Sequence, residues 1–128
     1  MSPTKLSTVV LDAHDANELA DFYLRLLGYE VRAQEPHWVL TGPPPGTEGT
    51  SLAFETEPAY VPPVWPSRHP GEQQMMLHLD IEVDDLAAET ARAVAEGARL
   101  AEYQPQDDVR VLLDPSGHPF CLWTRAAP

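Results

Sequence analysis

The sequence predicts an α+β fold made of two copies of a βαβββ module, and three observations carry that prediction. A strand, an acidic cap, an amphipathic helix and a terminating glycine occur twice, with the caps 70 residues apart and the glycines 69 apart. Each helix is followed by three short extended pieces bounded by turn residues. Between the two sets lies a proline-dense stretch that suits neither a helix interior nor a central strand.

The first strand is read over Ser7 to His14 (STVVLDAH), β-branched at its start and followed by Asp15 as a helix cap. Leu19, Phe22, Tyr23, Leu26 and Leu27 then recur at i, i+3, i+4, i+7 and i+8, the spacing of one helix face, and Gly28 closes the helix in the manner of a left-handed C-terminal residue. Extended pieces follow at Tyr29-Glu30-Val31, Trp38-Val39-Leu40 and Ser51 to Glu55. The second copy opens with Met76 to Val83 (MLHLDIEV), capped by Asp84-Asp85, and continues with the alanine-rich helix Leu86 to Glu96, stopped by Gly97. Its strands are Arg99 to Ala101, Val109 to Leu113 and Phe120 to Thr124. The sequence therefore predicts a single domain of two modules, at about 5–57 and 75–125, joined by a proline-rich linker at 58–74. Strand alternation places Val9, Leu11 and Ala13 under the first helix and Leu79, Ile81 and Val83 under the second. Thr8, Val10 and Asp12, like His78, Asp80 and Glu82, then fall on the opposite sheet face.

Nine of the 14 prolines lie between residues 36 and 70, and the two predicted helices contain none. Proline at about twice its average usage is thus a local feature of loops and linker. Hydrophobic residues make up an ordinary 43% of the chain. The linker also carries Tyr60, Val61, Val64 and Trp65, which predict that it packs on the body of the protein beside a pocket. With 20 acidic residues against 8 basic ones the net charge is −12, so a polyphosphate backbone is repelled and nucleic acid is excluded as a partner. A lone cysteine, no apolar leader and no run near 18 apolar residues point to a soluble cytoplasmic protein with no membrane partner.

The strand ending in an acidic residue, the helix NELADFYLRLLGYEV (Asn17 to Val31), the segment HLDIEVDDLAAE (His78 to Glu89) and DPSGHPFCLW (Asp114 to Trp123) together resemble the vicinal oxygen chelate superfamily, most closely its glyoxalase-like branch. The superfamily includes glyoxalase I, extradiol dioxygenases and metal-free bleomycin resistance proteins. The resemblance implies a curled, cup-shaped mixed sheet with helices on its outer face, and a homodimer. Metal-dependent members place four ligands in the cup, one on the first and one on the last strand of each module. Carried over position by position, these fall on Thr8, Ala53 or its near neighbour, His78 and Cys121. Threonine is a poor ligand and alanine none, so no metal cofactor is expected. The alternative is a divalent Zn, Ni, Mn or Fe ion on His78, Glu55 and Cys121.

With the metal positions vacated, Asp12, Trp38, Glu55, Asp80, Cys121 and Trp123, with Trp65 of the linker, are the candidate ligand-binding residues. Tryptophan faces beside carboxylates suit an aromatic, cationic small molecule such as a metabolite or antibiotic. Two enzymatic alternatives stand beside this binding function. One is a metal-dependent lyase, isomerase or dioxygenase of the glyoxalase type. The other is a metal-free enzyme using His78 with Asp80 or Glu82 as acid–base groups; without a catalytic or ligand role, His78 is a pocket-lining imidazole hydrogen-bonded to Asp80 or to backbone. An imidazole beside Cys121 could also activate its thiol as a nucleophile. His14, His37, His69 and His118 are read as solvated, and Ser116-Gly117 as a turn.

Overall fold

The computed structural model describes residues 2–125. The chain divides into two compact units, one ending at Tyr60 and the other beginning at Val61, and the proline-rich stretch from 61 onward is thereby part of the second unit.

The first unit contains β1 (Thr8–Ala13), α1 (Ala16–Leu27), β2 (Glu30–Glu35), β3 (Trp38–Gly42) and β4 (Ser51–Thr56). Asp15 caps α1 by accepting from the backbone N–H groups of Asn17 and Glu18, and Gly28, with φ of 68°, ends it in the left-handed region. The sheet order is β1-β4-β3-β2, with β1 and β4 parallel and the other pairs antiparallel. The helix covers one sheet face through Leu19, Phe22, Tyr23 and Leu26, all essentially buried. Tyr23 stacks on Phe54 of β4 with ring centroids 5.6 Å apart and packs edge-on against Phe22 at 4.9 Å. Val39, Thr41, Leu52 and Phe54 share this face, and Thr41 donates its hydroxyl proton to the Leu52 carbonyl at 2.9 Å.

The second unit repeats the plan with β5 (Leu79–Glu82), α2 (Leu86–Glu96), β6 (Arg99–Leu100), β7 (Val109–Leu113) and β8 (Pro119–Trp123) in the order β5-β8-β7-β6. The duplication and the two βαβββ modules read from the sequence are present in the structure. Asp85 caps α2 through Ala88 N–H, and Gly97 follows with φ of 124°. Phe120, Leu122 and Leu112 are buried beneath the helix with Leu86 and Ala93. Asp114 accepts from Ser116 and His118 N–H at 3.0 Å each, which fixes the turn between β7 and β8.

Strand limits differ from those read in the sequence: β1 and β6 lose end residues, β2 runs on to Glu35, and β5 starts three residues late. The strand is read from Met76, yet β5 begins at Leu79, and Met76 and Leu77 are 90% and 56% exposed. The partner strand explains this difference, because Leu79 pairs with Phe120 and the residue before Phe120 is Pro119, which has no N–H to extend the ladder. Within 61–74 the chain is tied to its own unit, with Val64 N–H donating to the Gln73 carbonyl at 2.7 Å and Trp65 stacked on Tyr103 at 5.7 Å. The packing expected of the linker is observed for Trp65, whereas Val61 and Val64 are exposed. Among the described residues no helix is long and apolar enough to cross a membrane.

Candidate functional site

Each sheet has one face under its own helix, and alternation places Asp12, Trp38 and Glu55 in the first unit, and Asp80, Glu82, Cys121 and Trp123 in the second, on the opposite face. In the first unit Asp12 is registered against Glu55 and Glu55 against Trp38, so two carboxylates and an indole form one row across three strands. The adjacent row is Val10, Ala53 and Leu40. Directly opposed like charges repel across a ladder, so the Asp12–Glu55 pair favours a cation beside it.

In the second unit the corresponding rows are Glu82, Trp123 and Val109, and Asp80, Cys121 and Val111. His78 sits just before β5, two residues ahead of Asp80, and its Nε2 lies 3.1 Å from Asp80 Oδ1. Of the two partners open to this imidazole from the sequence, Asp80 or backbone, Asp80 is in contact with it. Asp80 also accepts a hydrogen bond from the Cys121 thiol. Burial, followed by the charge and hydrogen bond of Asp80, pushes the thiol up to about 11. A thiol held protonated at neutral pH is a poor nucleophile, so the activated Cys121–His78 pair considered from the sequence finds no support in this geometry.

His78, Asp80 and Cys121 each present a donor atom, and the three donors lie within 4.8 Å of one another. They open onto a cleft of about 300 Å³ shared with Gln106, Asp108, Val109 and Trp123. Trp65 lines a different cleft of the same unit, of about 660 Å³, with Tyr103, Arg68 and Arg99. Glu55, a member of the alternative metal set, belongs to the first unit's sheet.

The repeated register permits a direct test of the superfamily's four-ligand metal site. Val10 pairs with Ala53 as Asp80 pairs with Cys121, so Thr8, Val10 and Ala53 in the first unit stand where His78, Asp80 and Cys121 stand in the second. The first unit offers one hydroxyl and two hydrocarbon side chains at these places. The residues present do not fit a site that takes half its ligands from each module.

A contact that the sequence reading missed completes the site. The Arg125 guanidinium carbon lies 5.2 Å from the Trp123 ring centroid, and Arg125 Nε lies 2.8 Å from Glu82 Oε2. The same alternation that places Trp123 on this face places Arg125 there too. Glu82, a candidate acid–base group, is thus held in an ion pair.

The glyoxalase-like domain family model matches residues 8–123. A search of curated protein sequences found no match. Among solved structures, a glyoxalase/bleomycin resistance protein/dioxygenase family enzyme from Burkholderia phytofirmans PsJN is similar at a TM-score of 0.70 and 19% identity, covering 96% of this chain and all of that one. TnmS3, an antibiotic binding protein from Streptomyces sp. CB03234, is similar at a TM-score of 0.63 and 21% identity, with 98% and 99% of the two chains covered. A bleomycin resistance determinant encoded on the transposon Tn5 is similar at a TM-score of 0.60 and 19% identity, with 97% and 100% covered. At these identities the likeness is one of fold.

Proposed function

The chain belongs to the glyoxalase-like domain family, and from that premise we propose that it is a small-molecule-binding protein whose sheet faces opposite the helices hold an aromatic, cationic ligand without the four-ligand metal site. The observation that carries the reading is Arg125, a cation of the chain's own, seated on the Trp123 face and ion-paired with Glu82. An indole beside a carboxylate recognises a flat cation twice, through the ring quadrupole and through charge. The row of Asp12, Glu55 and Trp38 repeats that chemistry in the first unit. The net charge of −12 raises the local concentration of cations around both. Antibiotic binding by TnmS3 and resistance encoded by the Tn5 determinant, two proteins of similar fold, support the same reading. In this proposal the chain is also a homodimer, as the resemblance to the superfamily implies.

Arg125 is displaceable, because its side chain is 77% exposed and Glu82 is 49% exposed. A surface ion pair contributes about 0–1 kcal/mol and an exposed cation–π contact about 0.5–1 kcal/mol. A ligand that supplies both a larger ring and a cation takes its place. The test uses proflavine, a planar cationic dye, with anionic fluorescein as comparator. Proflavine binding is expected to weaken by about tenfold in Trp123→Ala and Glu82→Gln and to strengthen several-fold in Arg125→Ala. Glu18→Gln, on an exposed turn of α1, leaves it unchanged. Equal binding of fluorescein, or equal losses in Glu18→Gln and Glu82→Gln, overturns the reading in favour of unspecific attraction to an acidic protein.

A further inference from the structure

We propose that the second module carries a metal site of its own, in which His78, Asp80 and Cys121 bind one zinc-class divalent ion and leave a fourth position for water or an exogenous ligand. The proposal goes beyond small-molecule binding at Trp123 and Glu82, which needs no metal.

Three kinds of donor converge here: an imidazole nitrogen, a carboxylate oxygen and a thiol sulfur, all within 4.8 Å of one another. A tetrahedral ion with bonds of about 2.0–2.3 Å holds its ligands roughly 3.3–3.8 Å apart. The His78–Asp80 separation of 3.1 Å is already close to that spacing. Asp80 and Cys121 are cross-strand partners in the parallel ladder of β5 and β8, so the backbone fixes the relative position of two of the three donors. His78 lies outside the strand, where its backbone is not committed to the ladder and can adjust.

The duplication supplies a control within the molecule. The same register in the first module carries Thr8, Val10 and Ala53, and that sheet forms with the same strand order. The fold therefore does not require ligating side chains at these places, yet the second module has one at all three. This arrangement differs from the superfamily's four-ligand site both in drawing every protein ligand from one module and in using Asp80.

The donor set also selects the ion. A sulfur and a nitrogen ligand disfavour magnesium and calcium, which take oxygen donors, and favour zinc and its neighbours. Binding replaces the S–H bond of Cys121 with a sulfur–metal bond, and the proton leaves to solvent with no change of oxidation state. The cleft of about 300 Å³ bordered by Gln106, Asp108 and Trp123 gives an entry path and room for the fourth ligand. Three protein ligands and one open position are the arrangement of zinc sites that act on a bound molecule.

The test is titration of the tag-free, chelator-treated full chain with Co²⁺, followed by absorbance. One equivalent is expected to produce a near-ultraviolet thiolate-to-cobalt charge-transfer band and the strong visible bands of a tetrahedral ion, both lost on adding one equivalent of Zn²⁺ and retained in excess Mg²⁺. Cys121→Ser is expected to abolish the charge-transfer band. His78→Ala and Asp80→Asn are expected to weaken binding by more than the roughly 10–100-fold that loss of an outer hydrogen-bond partner costs a metal site. Far-ultraviolet circular dichroism of each variant separates a lost ligand from a lost fold, and Cys121→Ser, nearly isosteric, keeps the test valid if the other two unfold. Absence of the charge-transfer band in the wild-type chain, or wild-type affinity in Cys121→Ser, overturns the proposal. Proflavine binding by the same metal-free protein reads the small-molecule proposal separately, so either can fail alone.

Discussion

At the scale of single residues, the second module's sheet face opposite α2 is organised by Asp80. Its carboxylate meets the imidazole of His78 at 3.1 Å and accepts from Cys121; burial first, and then the charge and hydrogen bond of Asp80, keep the thiol protonated. The folded thiol holds its proton where the unfolded chain, with an ordinary value of 9.0, has lost it. Cys121 therefore contributes stability that is fully present below pH 9.0 and is lost as pH rises toward about 11. Alkylation of the metal-free protein by iodoacetamide, followed by mass spectrometry, should show a midpoint near pH 11 when folded, against one near 9.0 in denaturant. A folded midpoint at or below the denatured one contradicts the arrangement. His78 and Cys121 were legible as candidates through the family resemblance, and strand alternation put His78 and Asp80 on one face, with backbone left open as the other partner of the imidazole. The Asp80–Cys121 pairing was not legible, because register between strands some 40 residues apart is set by the whole sheet. Arg125 was missed although its spacing from Trp123 put it within reach of the same argument.

Elements behave much as their ends dictate. Asp15 satisfies two N–H groups of α1 at 3.0 and 3.4 Å, so Asp15→Ala should lower stability by about 1 kcal/mol in urea unfolding, with no change in the ligand face. The two glycines that follow the helices are not equivalent. Gly28, at φ of 68°, occupies a left-handed region that other residues reach at a cost of about 1–2 kcal/mol, with nothing within 4 Å of an added Cβ. Gly97, at φ of 124°, lies where side chains are rarely found. Gly97→Ala is accordingly expected to destabilise more than Gly28→Ala, and the order of their urea midpoints decides it. Helix α2 was legible to the residue from its cap, composition and terminal glycine. The start of β5 was not, since a strand-like run does not reveal that its partner strand begins with a proline.

At the scale of the whole chain, each unit buries apolar residues between its helix and its sheet on a similar plan. The first centres on Phe54, fully buried against Tyr23, and Phe54→Ala should cost about 3–5 kcal/mol, read as a lowered melting temperature. The homodimer proposed for the chain predicts twice the 14.2 kDa chain mass in light scattering at micromolar concentration, and a monomer mass refutes it. The acidic balance, which in the sequence served to exclude nucleic acid, also predicts that proflavine affinity falls as salt is added.

Because the two sheets share one register, a function written on one can be copied to the other by position. Thr8→His, Val10→Asp and Ala53→Cys would set the triad of the second module into the first, with the Val10–Ala53 pairing already in place to hold it. The chain is in this sense a pair of matched sockets, one wired and one blank, and the triple variant should take up a second equivalent of Co²⁺ where the natural sequence takes one.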